Sequence, residues 1–153
     1  IMGPGLGRMM AQWIMEGDPG CDITGFNIDR LHTFQNNYNY RKHRTVESLG
    51  KVYKCHYPFQ SMETARGAKQ SAIYERLKSN GAFFKDVSGW EGADWFAQKG
   101  QKAEIDSHSW GREDWFANWE KEHKAARENV ILMDMSFMSK FLVQGRDAGK
   151  VLN

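Results

Sequence analysis

Residues 3–17 read Gly3-Pro4-Gly5-Leu6-Gly7-Arg8-Met9-Met10-Ala11-Gln12-Trp13-Ile14-Met15-Glu16-Gly17. Leu6, Met9, Met10, Trp13 and Ile14 recur at i, i+3, i+4, i+7 and i+8, which stacks them on one face of an α-helix. The spacing predicts a helix that opens after Gly-Pro-Gly and closes at Gly17, with Asp18-Pro19-Gly20 turning the chain toward the short apolar run around Ile23 and Phe26. The glycines at its start have a chemical meaning as well. Small residues let a backbone approach a ligand closely, and the unpaired N–H groups of a helix start favour partial negative charge. The segment is not the dinucleotide fingerprint: its spacing is Gly-x-Gly-x-Gly, Arg8 stands where the third glycine belongs, and no strand precedes it. A ligand-facing loop and a plain glycine-rich start of a helix both fit this spacing.

Working outward, Val46, Leu49, Val52 and Tyr53 share a face within a second predicted helix, Tyr38 to Tyr53, which His56-Tyr57-Pro58 ends. Residues 59–70 have no clear period and read as a long connection. Ser71 is placed to cap a helix through Tyr74 and Leu77 that stops at Asn80-Gly81, and Ala82 to Val87 follows as a strand. A polar, glycine-bearing stretch, 98–111, precedes a helix that Asp114 can cap and whose Trp115, Phe116, Trp119, Ala126 and Val130 are expected to be buried. Ile131 to Met135 and Lys140 to Val143 read as strands, and Gly145-Arg146-Asp147-Ala148 as a turn into a further helix. The expected fold class is α+β, helices and strands mixed. One local echo, Trp90-x-x-x-Asp94-Trp95-Phe96-Ala97 against Trp110-x-x-x-Asp114-Trp115-Phe116-Ala117, has too few copies for a repeat architecture and reads as two aromatic anchors.

Composition narrows the function classes. With 153 residues, 41% of them hydrophobic, the chain holds enough apolar material for one packed domain or parts of two. A formal charge of +2 and no long basic run argue against a nucleic-acid partner, and Arg41-Lys42-His43-Arg44 reads as a solvated helix face. Two cysteines allow at most one bridge, so a reducing compartment fits best. No stretch approaches the roughly 18 consecutive apolar residues of a membrane span. Ile1 is not a methionine, and Val151-Leu152-Asn153 stops where a helix starts, so an internal segment of a longer protein is expected.

The remaining candidates for chemistry are weaker. Cys21, His32, His43, Cys55 and His56 lack the paired short spacings of a structural zinc site, and no metal site is expected. Glu122-His123 lacks the second histidine of a metalloprotease helix, and Ser107-His108-Ser109 lacks the glycines of a nucleophile elbow. Arg66-Gly67 can hold a carboxylate through a two-nitrogen contact, either from a ligand or, as the commoner case, from within the protein. The tryptophans at 90, 95, 110, 115 and 119 suit burial between segments better than ligand stacking.

The order of motifs along the chain resembles the dimethylglycine and sarcosine dehydrogenase family. The matching stations are Gly3-Pro4-Gly5-Leu6-Gly7 with Ala11-Gln12-Trp13-Ile14 and Gly17-Asp18-Pro19, then Arg44 with Glu47-Ser48-Leu49-Gly50 and Tyr53, and His56-Tyr57-Pro58. Glu63-Thr64-Ala65-Arg66-Gly67, Tyr74-Glu75-Arg76-Leu77, Gly89-Trp90-Glu91, Trp95-Phe96 and Asp114-Trp115-Phe116 follow. Glu122, Asp134-Met135-Ser136, Lys140-Phe141 and Val143-Gln144-Gly145 complete the set. Two places depart from the pattern: Ala72 stands where a proline often follows the serine, and Gly92-Ala93 replaces the usual Arg-Pro.

The resemblance implies three parts: residues 1–33 as the end of a flavin-binding domain, 34–115 as a bridging α+β region, and 116–153 as the start of an aminomethyltransferase-like, folate-binding domain. It implies that Gly3, Pro4, Gly5, Leu6, Gly7 and Arg8 meet an FAD cofactor. The implied reaction is oxidative demethylation of an N-methylated glycine, with the one-carbon unit passing to tetrahydrofolate or leaving as formaldehyde. No residue of this chain is expected to be the catalytic acid or base. The implied setting is the bacterial cytoplasm or the mitochondrial matrix. The same domain order also occurs in a regulatory relative, the pyruvate dehydrogenase phosphatase regulatory subunit, and a non-catalytic role of that kind is the alternative.

Overall fold

The computed structural model describes residues 2–153, which divide into two compact units, one ending at Arg41 and one running from Lys42 to Asn153. In the first unit, helix α1 spans Gly3–Glu16. Pro4 sits in its first turn, where the missing N–H costs no helical bond, and Gly17 ends it with φ 75° and its N–H on the Trp13 carbonyl at 2.9 Å. The helix therefore begins at the glycines themselves, so Gly3 to Arg8 form its first two turns and not a loop ahead of it. Asp18 Oδ1 accepts from Gly20 N at 2.8 Å, closing the expected turn. Two single 3₁₀ turns, Ile28–Arg30 and Thr33–Asn36, lead to helix α2, Tyr38–Val52, where Asn37 Oδ1 accepts from Tyr40 N at 2.8 Å.

The apolar stripe of α2 stays in solvent: Val46, Leu49, Val52 and Tyr53 are all exposed. Its polar stripe, Arg44, Glu47 and Lys51, does the packing instead, because each of these side chains finds a partner on the connection that follows.

The second unit is organised by an antiparallel hairpin of β1, Ala82–Val87, and β2, Trp90–Phe96. Ser88 and Gly89 lie between the strands with φ 52° and 86°, the two left-handed central residues of a type I′ turn. The ladder pairs Val87 with Trp90 and Lys85 with Gly92, then shifts between Phe83 and Phe84, so that Asp94 is bulged out and reaches Lys85 Nζ at 2.6 Å. Gly92 is needed at its place: a Cβ there would stand 2.7 Å from Val87 Cγ2. This close approach accounts for glycine at one of the two departures from the family pattern. Lys69 adds a short parallel bridge to β2, donating its N–H to the Gly89 carbonyl and accepting from Glu91 N.

A short helix α3, Tyr74–Ser79, precedes the hairpin, and α4, Phe116–Glu128, lies on β2. Trp95 is 1% exposed and stacks on Phe83 with ring centres 5.2 Å apart, and Phe59 meets Trp115 edge-on at 5.6 Å. Ala82, Trp95 and Trp115 are the buried apolar side chains among the described residues, so much of the cohesion of this unit is polar. Helix α5, Ala148–Leu152, follows the expected turn.

Several expectations change. The sequence did not single out β2 as a strand. Residues 131–135 and 140–143 form no strands; they find no ladder partner among the described residues, and Leu132, Phe141 and Leu142 lie exposed. Ser71 and Asp114 do not cap through their side chains, since Ile73 and Trp115 occupy the N-cap positions of α3 and α4 without a side-chain bond. On α4 the inward positions are Asn118, Glu122 and Ala125, directly following buried Trp115, whereas Trp119, Ala126 and Val130 are exposed. Two inward polar side chains of α4 are bonded: Asn118 Nδ2 donates to Gln101 Oε1 at 2.9 Å, and Glu122 Oε1 accepts from Phe96 N at 2.7 Å. The fold is α+β, as expected.

Candidate functional site

The sequence singled out Gly3 to Arg8, and the structure places them as one exposed helix start. No side chain caps it, and the first intrahelical bond, Leu6 N to Met2 O at 3.0 Å, leaves the N–H groups of Gly3 and Gly5 ahead of the ladder. A Cβ added at Gly3, Gly5 or Gly7 would meet nothing within 4 Å. The chain's own packing therefore does not require these glycines, and they leave a bare strip of backbone at the positive end of a helix. Arg8 lies on the exposed part of the same turn region.

In the second unit, the connection 59–70 is caught between α2 and the hairpin. From α2, Arg44 Nη2 donates to the Thr64 carbonyl at 2.8 Å and to Asp86 Oδ2 at 2.7 Å. Glu47 accepts from Glu63 N at 2.7 Å, Thr64 N at 2.8 Å and the Thr64 hydroxyl, while Lys51 Nζ donates to Glu47 Oε1 at 2.6 Å and to the Ser61 carbonyl at 2.8 Å. Burial opposes ionisation of Glu47, yet these donors outweigh it and hold its carboxyl at about 2. On the hairpin side, Arg66 grips Glu91 through Nε and Nη2 and donates to the Phe84 carbonyl at 2.8 Å, and Gly67 N adds a bond to Glu91 at 2.6 Å. Arg66-Gly67 does hold a carboxylate, but it belongs to the protein, so this arginine is engaged internally. Glu91 belongs to the motif Gly89-Trp90-Glu91, and nothing in the sequence marks it as the partner of Arg66. Its only local signal is a carboxylate in a strand between a tryptophan and a glycine.

The other candidates do not converge. Among the described residues no group of His, Cys, Asp and Glu is arranged to hold a metal ion, and Cys21 and Cys55 are free and exposed. His108 stacks on Tyr57, and its Nδ1 stands 3.7 Å from Glu113 Oε1. Trp90 and Trp95 lie on β2, and Trp110 and Trp115 lie around the approach to α4, so the echoed motif takes two different conformations. No helix of the described chain is long and apolar enough to cross a membrane.

Two family descriptions match in tandem: the FAD dependent oxidoreductase central domain over residues 16–71 and the GCVT N-terminal domain over residues 73–153. The chain belongs to the dimethylglycine and sarcosine dehydrogenase family. Among the family's relatives, the 4-methylaminobutanoate oxidase (formaldehyde-forming) of Paenarthrobacter nicotinovorans is 42% identical over 99% of this chain and 18% of its own length. The mitochondrial pyruvate dehydrogenase phosphatase regulatory subunit of Mus musculus is 29% identical over 92% of the chain and 16% of its own length. The mitochondrial sarcosine dehydrogenase of Homo sapiens is 28% identical over 98% of the chain and 19% of its own length. The chain thus spans less than a fifth of these relatives. The two matched regions meet between 71 and 73, inside the second compact unit, and the Arg44–Asp86 and Arg66–Glu91 pairs cross that line.

Proposed function

We propose that this chain is the junction segment of an FAD-dependent enzyme that oxidatively demethylates N-methylated amino acids of the dimethylglycine or sarcosine type and passes the one-carbon unit to tetrahydrofolate. The observation that carries the reading is the tandem of an FAD-oxidoreductase region and a GCVT region on one chain. Bound FAD would accept the hydride leaving an N-methyl C–H, so that the substrate becomes an iminium whose carbon is the one passed on. Gly3, Pro4, Gly5, Leu6, Gly7 and Arg8 are proposed to meet the flavin, with the helix dipole and the bare glycine N–H groups favouring negative charge at its edge. The role of this chain is to bind and to orient; the proton chemistry belongs to residues elsewhere in the protein. Residues 1–33, 34–115 and 116–153 are proposed as the flavin-domain end, the bridge and the start of the folate-binding part. Limited proteolysis tests that division, with cleavage in 98–111 supporting it and cleavage confined to the 71–73 region counting against it.

The function is tested on the complete protein. Its flavin absorbance should bleach when dimethylglycine or sarcosine is added without oxygen, and a protein that purifies colourless and unreactive would turn the assignment toward the regulatory relative. The glycine strip has a test of its own. Because a Cβ at Gly5 or Gly7 meets open space, Gly5→Ala and Gly7→Ala should leave folding intact or gain up to about 1 kcal/mol of helix stability. The same substitutions should lower flavin content or shift the flavin spectrum if the ring lies on this strip. Full flavin loading with an unaltered spectrum in both variants would remove these residues from the cofactor site.

A further inference from the structure

The connection 59–70 is held in an unusual way. None of its residues is buried. Its first half, residues 59–64, borders two clefts, one of about 850 Å³ lined in part by Glu47, Lys51, Gln60, Thr64 and His108, the other of about 440 Å³ lined in part by Phe59, Ser61, Met62 and Asp86. A segment packed at interior density moves only by disturbing its neighbours, whereas residues 59–64, bordered by open clefts, can shift relative to 66–69 once their bonds open. Apart from the edge-on contact of Phe59 with Trp115, what holds it is polar, and these bonds fall into two sets. Residues 61–64 are bonded to α2 through Glu47, Lys51 and Arg44, and residues 66–69 are bonded to the hairpin through Glu91, the Phe84 carbonyl and the Lys69 bridge. The break between the sets is marked by left-handed backbone at Ala65, φ 52°, and Gly67, φ 76°. A non-glycine residue in that region costs about 1 kcal/mol or more and persists only where surrounding bonds enforce it. Arg44 ties all three parts, since one of its nitrogens serves both Thr64 of the connection and Asp86 of the hairpin.

We propose that residues 65–67, inside the bridge and just ahead of the 71–73 line where the two matched regions meet, are a hinge, locked by Arg44 on Asp86 and by Arg66 on Glu91, and that both arginines are positioning residues. Resting on the function proposed above, the lock holds the two regions in the register that lets the one-carbon unit leave the oxidation site for folate. Opening it leaves oxidation intact and sends the carbon to solvent as formaldehyde.

The experiment uses the complete flavin-loaded protein with dimethylglycine and tetrahydrofolate, and reads flavin reduction separately from the split between folate-bound carbon and free formaldehyde. Arg44→Met should leave the rate of flavin reduction unchanged while the ratio of folate-bound to free carbon falls roughly three- to tenfold, the size of a typical lost coupling. The exchanged pair Arg44→Asp with Asp86→Arg should recover part of that ratio. A flavin-loaded Arg44→Met protein with the wild-type split, or one in which reduction and transfer fall together, would overturn the proposal. A second measurement depends on neither the variant's folding nor the activity. In the unmodified protein, hydrogen exchange at the Glu63, Thr64 and Gly67 amides should be faster than in the β1–β2 ladder and should accelerate with salt. Exchange of these amides only together with the ladder would sink the hinge, whereas an absence of demethylation would sink only the proposed reaction.

Discussion

Arg66 and Glu91 form a two-nitrogen ion pair, Nε to Oε1 at 3.0 Å and Nη2 to Oε2 at 2.5 Å, that buries the carboxylate to 6% exposure across the line where the two matched family regions meet. Removing one partner of such a pair costs more than removing both, because a lone buried charge has lost its compensation. Arg66→Met should therefore destabilise the complete protein by about 3 kcal/mol, and Arg66→Met with Glu91→Met by clearly less. Arg66→Lys should recover little, since an ammonium cannot reproduce the two parallel bonds. Denaturant unfolding checks the order, and a single variant costing no more than the double would contradict it.

Glu47 gives stability a defined pH dependence. Its carboxyl sits at about 2 in the folded protein against an ordinary value of 4.5, so the ionised form is the one the fold prefers. The contribution is fully present above the unfolded value and is lost as pH falls from about 4.5 through about 2. Glu47→Gln should lower the melting temperature at neutral pH, and the gap to the wild type should close across that window. A gap that stays constant down to pH 2 would show that the carboxylate's charge is not what holds residues 63 and 64.

Glu122 has the opposite sign. Burial raises its pKa, the Phe96 N–H pulls it down, and the nearby Asp94 charge raises it further, with the net shift upward. The fold therefore carries a cost for the ionised form that is present above the folded value and relieved as pH falls. Glu122→Gln keeps an oxygen for Phe96 N and should be as stable as the wild type at neutral pH, or better by on the order of 0.5 kcal/mol. Its advantage should vanish in acid, and urea unfolding at two pH values tests this. A variant less stable at neutral pH than in acid, relative to the wild type, would refute it.

Gly92 and Val87 make a steric pair across the hairpin, because a Cβ at 92 would stand 2.7 Å from Val87 Cγ2. Gly92→Ala should cost about 1–3 kcal/mol as an overpacked contact. Val87→Ala in the same molecule should return most of it, which a double-mutant cycle on thermal unfolding measures. Additive effects of the two changes would show that Val87 is not the obstacle.

Much of the secondary structure is legible in local pattern. The stripe from Leu6 to Ile14 predicts α1, the Tyr38 start and Val52 end of α2 lie within a residue of expectation, and β1 occupies the predicted residues. Strand β2 carries no clean alternation, since Gly92 and Ala93 interrupt its tryptophans, and the turn Ser88-Gly89 after β1 is its clearer signal. The runs 131–135 and 140–143 carry strand composition, but composition cannot provide a partner, and a strand exists only in a ladder.

What the sequence by itself determined was the α+β class, the presence and the Gly17 end of the first helix and, through motif order, the family. Helices and tight turns follow from bonds between residues a few positions apart, so their signals are local. Only the tertiary structure decided that α2 packs through Arg44, Glu47 and Lys51 while its apolar stripe stays exposed, and that Arg66 is spent on Glu91, 25 residues away. An ion pair depends on where two distant segments are brought in space, and nothing in the spacing of either residue selects the other. Polar contacts that span such distances now define the junction, which is where the two matched regions are joined.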